Sequence, residues 1–256
     1  MKLYVFTLAA FSIFGLGLFT KKDKAPEFKN EPTSIPASYK TFAVLELFTS
    51  EGCSSCPSAD NLLPELTKLD PNVIALSFHV DYWNRLGWTD PFSNAAFSDR
   101  QREYGKQFKL ESIYTPQLVV NGEYQLVGSN RNNATQTIKN ALKEKATVQI
   151  KIGDVKKTVD KLSVSCETEG ADLNKNDLFA AFVQKQAVMN VKAGENSGAK
   201  LSHTNVVRSF IKKPAQQKLN FEMNVPRDVN DNNWELILFT REKIDLKITG
   251  VAVYNQ

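Results

Sequence analysis

Cys53 and Cys56 are spaced for sulfur chemistry. They stand two residues apart in Phe48-Thr49-Ser50-Glu51-Gly52-Cys53-Ser54-Ser55-Cys56-Pro57. The apolar run before them, Phe42 to Phe48, reads as a strand, and Ala59 to Leu69 after them reads as a helix. A helix start exposes unpaired N–H groups and the positive end of the dipole. A thiolate at Cys53 is favoured there, so its pKa is expected to fall. Cys56, about one turn further in, is placed to resolve a mixed disulfide made by Cys53. Two other readings of the pair stay open. One is an inert structural disulfide, although so short a loop removes little chain entropy. The other is a thiolate–imidazole site with His79 and His203, suited to zinc or Cu(I).

Several residues could modulate such a site. His79 ends an apolar strand, Val73 to Val80, and ligand chemistry in open sheets collects at the carboxyl ends of strands. It either assists proton transfer or holds a loop through Asp81. His203 reads as a hydrogen-bonded turn residue or as a group facing a cleft. Glu51 would oppose ionisation of Cys53 if it points inward. Tyr82, Trp83, Trp88 and Phe92 form an apolar wall for a partner, or the core of their own loop. Cys166 lies on an apolar strand face and reads as a buried, inert thiol.

The elements that position these residues follow from pattern. With 42% hydrophobic and 23% charged residues, the composition is that of an ordinary globular protein. Net charge is +4, but Lys2 supplies one unit and residues 20–40, with five Lys against three acids, supply two. The near-neutral remainder argues against nucleic acid as a partner. Leu3 to Phe19 is an uncharged apolar run behind Lys2 and reads as a cleaved signal peptide or a retained membrane anchor within residues 1–20. Residues 21–40, with Pro26, Pro32 and Pro36 among charges, read as a flexible linker. Either reading of the leader implies export to a periplasmic or cell-envelope compartment, where disulfides persist.

Leu62, Leu63, Leu66 and Leu69 make the buried face of the first helix, which Pro64 should kink. A strand, a crossover helix and a strand form a parallel unit. An aromatic loop follows, then a helix capped by Ser98 or Asp99 that runs to about Phe108. Gln117 to Val120 and Glu123 to Val127 flank Asn121-Gly122, a hairpin signal. Ala134 to Lys145 is an amphipathic helix. From Thr147 onward short strands dominate, with Leu162, Val164 and Cys166 alternating, as do Leu219, Phe221, Met223 and Val225. Further strands are expected at Asp177–Gln184, His203–Ile211, Trp234–Thr240 and Lys247–Tyr254. Such spacing suggests an antiparallel sandwich.

The order βαβ, helix, ββα, with C-x-x-C at the first helix start and Thr115-Pro116 before the hairpin, resembles the thioredoxin fold. More specifically, Phe48 to Pro57, His79-Val80-Asp81-Tyr82-Trp83 and Tyr114-Thr115-Pro116-Gln117 resemble an uncharacterised family of secreted bacterial thioredoxin-like proteins, a domain of unknown function. Gly194-Glu195-Asn196 and His203 to Arg208 are similar to its C-terminal region. The resemblance implies an α/β thioredoxin-like domain over 41–146 followed by an all-β sandwich-like domain over 147–256. It also implies a cis Pro116 facing the dithiol, which with Thr115 presents the backbone of a partner. Cys53, Cys56, Thr115, Pro116 and His79 are then the site. The expected reaction is thiol–disulfide exchange with a protein or a small thiol or disulfide, without a cofactor, through a Cys53 sulfur open to the partner. Gly52 departs from the tryptophan usual in redox thioredoxins. The alternative is a non-catalytic binding module.

Overall fold

The protein is described by a computed structural model that covers Met1, residues 40–170 and residues 172–255. The leader at 3–19 and nearly all of the linker lie outside these residues. Among the described residues no helix is long and apolar enough to cross a membrane.

The chain starts as expected, except that the first helix stops at Leu66 and Leu69, expected on its buried face, is exposed. Strand β1 (Ala43–Thr49) is buried along its whole length, and helix α1 (Pro57–Leu66) follows with Cys56 at its N-cap and Pro57 at its first position. Proline suits that position because its missing N–H would have had no helical partner. Strand β2 (Val73–His79) pairs with β1 in parallel, from Ala43↔Val73 to Thr49↔His79. Helix α2 (Ala95–Gln107) is capped by Asn94, whose side chain accepts from the Ala96 N–H. That corrects the expected cap at Ser98 or Asp99. Ser98 is instead turned inward, where its hydroxyl donates to Asp81 and accepts from the Asp81 N–H.

Strands β3 (Gln117–Val120) and β4 (Tyr124–Val127) form the hairpin. Asn121 and Gly122, with φ of 50° and 72°, make its turn, the left-handed conformation that such a turn requires. Asn121 also ties the turn to β1, accepting from Val44 N–H and donating to Phe42 O. Helix α3 (Arg131–Ala141) begins three residues earlier than its apolar face suggested because Asn130 caps it.

Beyond α3 come β5 (Val148–Lys157), β6 (Lys161–Gly170), β7 (Asn176–Asn190), β8 (Lys200–Pro214), β9 (Lys218–Asn224), β10 (Trp234–Glu242) and β11 (Ile248–Asn255). Here the expected fold class is overturned. The architecture is mostly β, built on one mixed eight-stranded sheet in the order β11-β10-β7-β8-β2-β1-β3-β4, with a three-stranded sheet β5-β6-β9. It is not an α/β thioredoxin-like domain followed by a sandwich. Strand β8 lies beside β2 in parallel at Ser77↔Val206, so the large sheet runs through both halves of the chain. Two side-chain bonds secure this seam: Ser77 Oγ donates to Thr204 O, and Asn205 Nδ2 donates to Ala75 O.

The physical reason is visible in β7 and β10. Leu178 to Val183 and Leu236 to Phe239 are buried residue after residue. A sandwich strand would alternate, whereas these are covered on both faces. One face of the large sheet carries α2, packed into a core of Val44, Phe48, Leu76, Phe78, Phe97, Tyr104, Phe179 and Phe239. The opposite face carries α1 and α3 over β1, β2 and β3. On that face the small sheet covers Leu178, Ala180, Phe182, Leu236 and Leu238. Strands β5, β6 and β9 alternate, with one face against the large sheet and the other toward solvent.

In the first core the guanidinium of Arg100 is buried and forks onto Glu46 at 2.5 and 3.0 Å. It also lies 4.8 Å from the centre of the Phe179 ring. Burial works against its charge, but Glu46 outweighs burial and holds the proton more firmly than usual.

A candidate dithiol site and its buried acid–imidazole layer

Cys53 and Cys56 are joined by a disulfide, with Cα atoms 5.4 Å apart. The sequence fixes their local frame through short turns. Cys53 N–H donates to Ser50 O, Cys56 N–H to Cys53 O, and Asp60 N–H to Cys56 O. The Thr115–Pro116 bond is cis, as the resemblance implied. Thr115 Oγ1 donates to Cys53 Sγ at 3.3 Å, and Trp83 Nε1 donates to Thr115 Oγ1 at 2.8 Å. Ser55 Oγ lies 3.4 Å from both Cys53 Sγ and Thr115 O. Gly52 lets the aromatic loop close in, since a Cβ there would stand 3.1 Å from the Cβ of Trp83.

Behind the disulfide lies a layer of buried charge. Glu51 does point inward, and there it is paired. Its Oε2 accepts from Trp88 Nε1 at 2.7 Å, and its Oε1 lies 3.2 Å from His203 Nε2. His203 Nδ1 faces Asp60 Oδ2 at 3.6 Å, an ionic contact longer than a hydrogen bond. Both Asp60 oxygens and His203 Nδ1 are buried without a hydrogen-bond partner. Burial works against the His203 proton, but the carboxylates of Asp60 and Glu51 outweigh it and push its pKa up to about 9.

His79 bonds through Nδ1 to Asp90 Oδ2 at 2.7 Å, and its ring meets that of His203 edge-on at 4.7 Å. Burial would raise the Asp90 pKa. His79 and the N–H groups of Glu51 and Phe92 more than offset it, leaving Asp90 below its ordinary value.

The third wall comes from the tip of the β7–β8 hairpin, residues 191–199. Asn196 Nδ2 donates to Glu51 O at 2.8 Å and to Cys53 O at 2.9 Å. Glu195 Oε2 accepts from Ser54 N–H at 3.0 Å. That bond holds the Glu195 carboxyl below its usual range. Gly194, at φ 75°, lets the tip press on Trp88, to whose Cβ an added methyl would come within 3.3 Å.

Of the expected site residues, Thr115 and Pro116 lie with Cys53 and Cys56. His79 lies in the layer behind, bonded to Asp90 rather than Asp81. Two expectations need correction. His203 sits within β8, as the strand expected at His203–Ile211 implied, so its reading as a turn residue falls. Cys53 is 1% exposed rather than open, because the hairpin tip and the aromatic loop close over it. In this disulfide-bonded state no thiolate is available for zinc or copper, and no group of three or more His, Cys, Asp or Glu among the described residues is arranged to hold a metal. A groove of about 490 Å3 on the outer face of the small sheet, lined by Lys156, Ser163 and Glu222, shares no residue with the site. Cys166 is buried and apart from the pair, its thiol pushed up to about 11 by burial.

Asp60, Asp90, Glu195 and Asn196 escaped sequence reasoning. A signal existed for Asp60, an acid on the Cys56–Leu63 stripe of α1, where an apolar residue is expected. Glu195 and Asn196 carried only the family resemblance.

A search among solved structures finds the same fold in protein AGR_C_4864 from Agrobacterium tumefaciens, with 25% identity, a TM-score of 0.62, and coverage of 86% of this chain and 96% of that one. HBP35 of Porphyromonas gingivalis is similar over 85% of this chain and 76% of its own, at 17% identity and a TM-score of 0.61. No curated protein matches. The profile of the family described as Protein of unknown function (DUF1223) matches residues 44–241, and the chain belongs to that family.

Proposed function

We propose that this is an exported or membrane-tethered protein of the cell envelope whose Cys53–Cys56 pair exchanges disulfides with a partner thiol or disulfide. One observation carries the reading: a disulfide at the start of α1 whose first sulfur accepts a hydrogen bond from Thr115, the residue before Pro116. In the dithiol form Cys53 attacks a partner sulfur, and Cys56 then displaces the partner from the mixed disulfide. Thr115 donates to the attacking sulfur, and Trp83 holds Thr115 in place. Kinship with the thioredoxin superfamily belongs to this proposal and rests on the dithiol, the helix start and the nearby proline, not on the overall architecture. Export is supported by the Lys2 and Leu3–Phe19 pattern and by the disulfide itself.

The burial of Cys53 favours a second reading, an inert disulfide that staples the β1–α1 turn in a binding module. Under the first reading the tip at 191–199 yields to admit a partner. The test is Cys56→Ala, expressed with its natural leader in the native host. Recovery of a discrete partner linked to Cys53 through a reducible bond supports exchange. An empty trap, with Cys53 resistant to alkylation in the folded variant, favours the staple.

A further inference from the structure

The helix start alone would make Cys53 a stabilised thiolate and the pair an oxidant. What surrounds the sulfurs argues the reverse. Glu195 reaches over from the hairpin tip and takes the Ser54 N–H at 3.0 Å, so a carboxylate already occupies a donor at the helix start. Glu51 lies buried two residues before Cys53. Asp60 lies one turn beyond Cys56 on α1, 5% exposed, with neither oxygen hydrogen-bonded. Asp90 caps the Glu51 N–H. The basic groups facing this layer are the imidazoles of His203 from β8 and His79 from β2. Four carboxyl groups thus face two imidazoles in this shell.

We infer that this acidic shell, with Glu195 and Asp60 as its adjustable members, destabilises thiolates at Cys53 and Cys56 and so makes the reduced protein an electron donor to partner disulfides. This rests on the exchange reading above and supplies its direction. A couple whose thiolates are disfavoured holds its disulfide more tightly, and its dithiol gives up electrons more readily. Cys53 forms a bond to one partner sulfur while the partner disulfide breaks. The other partner sulfur leaves as a thiol, and Cys56 then attacks Cys53 Sγ, displaces the partner sulfur bonded there and closes the Cys53–Cys56 bond. Two electrons and two protons pass from the cysteine pair to the two partner thiols. The oxidised protein must be restored by a second dithiol reductant, so the reaction class upstream is dithiol donation, not oxygen- or quinone-linked oxidation.

The experiment is equilibration of the intact protein with glutathione at graded ratios, together with the pH profile of Cys53 alkylation in the reduced form. Glu195→Gln keeps the acceptor for Ser54 N–H and removes only the charge. It should shift the equilibrium about threefold toward the dithiol, an effect that shrinks in 1 M salt. Asp60→Asn should shift it about tenfold in the same direction, since that carboxylate is buried. Both should move the alkylation midpoint to lower pH, which a merely structural role would not do. Glu195 is exposed, so that variant decides the matter even if Asp60→Asn folds poorly. The inference is overturned if neither property moves in Glu195→Gln, or if glutathione reduces the wild-type disulfide more readily than that of a peptide spanning residues 50–58. Neither readout depends on a physiological partner, so an empty Cys56→Ala trap would defeat the exchange reading while leaving this measurement intact.

Discussion

Replacing His203 by glutamine removes the imidazole held between Glu51 and Asp60 and should abolish a distinctive pH dependence of stability. The His203 pKa rises from 6.5 to about 9 in the folded chain. Below pH 6.5 both folded and unfolded chains carry the proton, and its stabilising contribution is fully present. Between 6.5 and about 9 the folded chain holds a proton that the unfolded chain has released, so stability falls as pH rises, by up to about 1.4 kcal/mol per pH unit. Above about 9 the contribution is gone. The shift corresponds to about 3 kcal/mol in all. His203 is 1% exposed, so solvent screening trims this little. The assay is urea denaturation of the disulfide-bonded protein at half-unit steps from pH 6 to 10. His203→Gln should be less stable at pH 6 by about 3–5 kcal/mol, because two buried carboxylates lose their cation. The gap between the variants should then close toward pH 10. Parallel stability curves for the two proteins across pH 6.5–9 would refute the reasoning, since the layer would then not share a proton as its geometry requires.

Glu46→Ala should cost about 3–5 kcal/mol in denaturant titration, because it strands the buried Arg100 guanidinium. Leu63→Ala, on the buried face of α1, should cost about 2–5 kcal/mol and loosen the helix that presents Cys56. Gly122→Ala should lower the thermal midpoint by several degrees, because its Cβ would stand 1.9 Å from Leu246 O at a φ of 72°. Cys166 should resist iodoacetamide at pH 8 in the folded chain and react only on unfolding, since burial pushes its thiol up to about 11.

Much of the first half was legible because its signals are local. The β1–α1 handover, the Asn121-Gly122 turn and the Thr-Pro before β3 each declare themselves within ten residues. The second half misled because alternation specifies a strand but not its sheet. Leu178 to Val183 and Leu236 to Phe239 break alternation, and read strictly they mark the interior of a sheet covered on both faces. The shell of the site was illegible for a similar reason. Glu195 lies 141 residues from Ser54 and His203 lies 152 from Glu51, and their meeting depends on where β8 joins the sheet.

That join has a cost for anyone who would work with a fragment. Val73–His79 is buried at every position, and β8 is what covers its outer edge. A polypeptide ending after α3 would present that edge bare, a template for pairing with other chains. Its cysteines would also lack the imidazole, the amide and the carboxylate that β8 and its hairpin bring. Whatever reactivity such a fragment displayed would be that of a different sulfur pair.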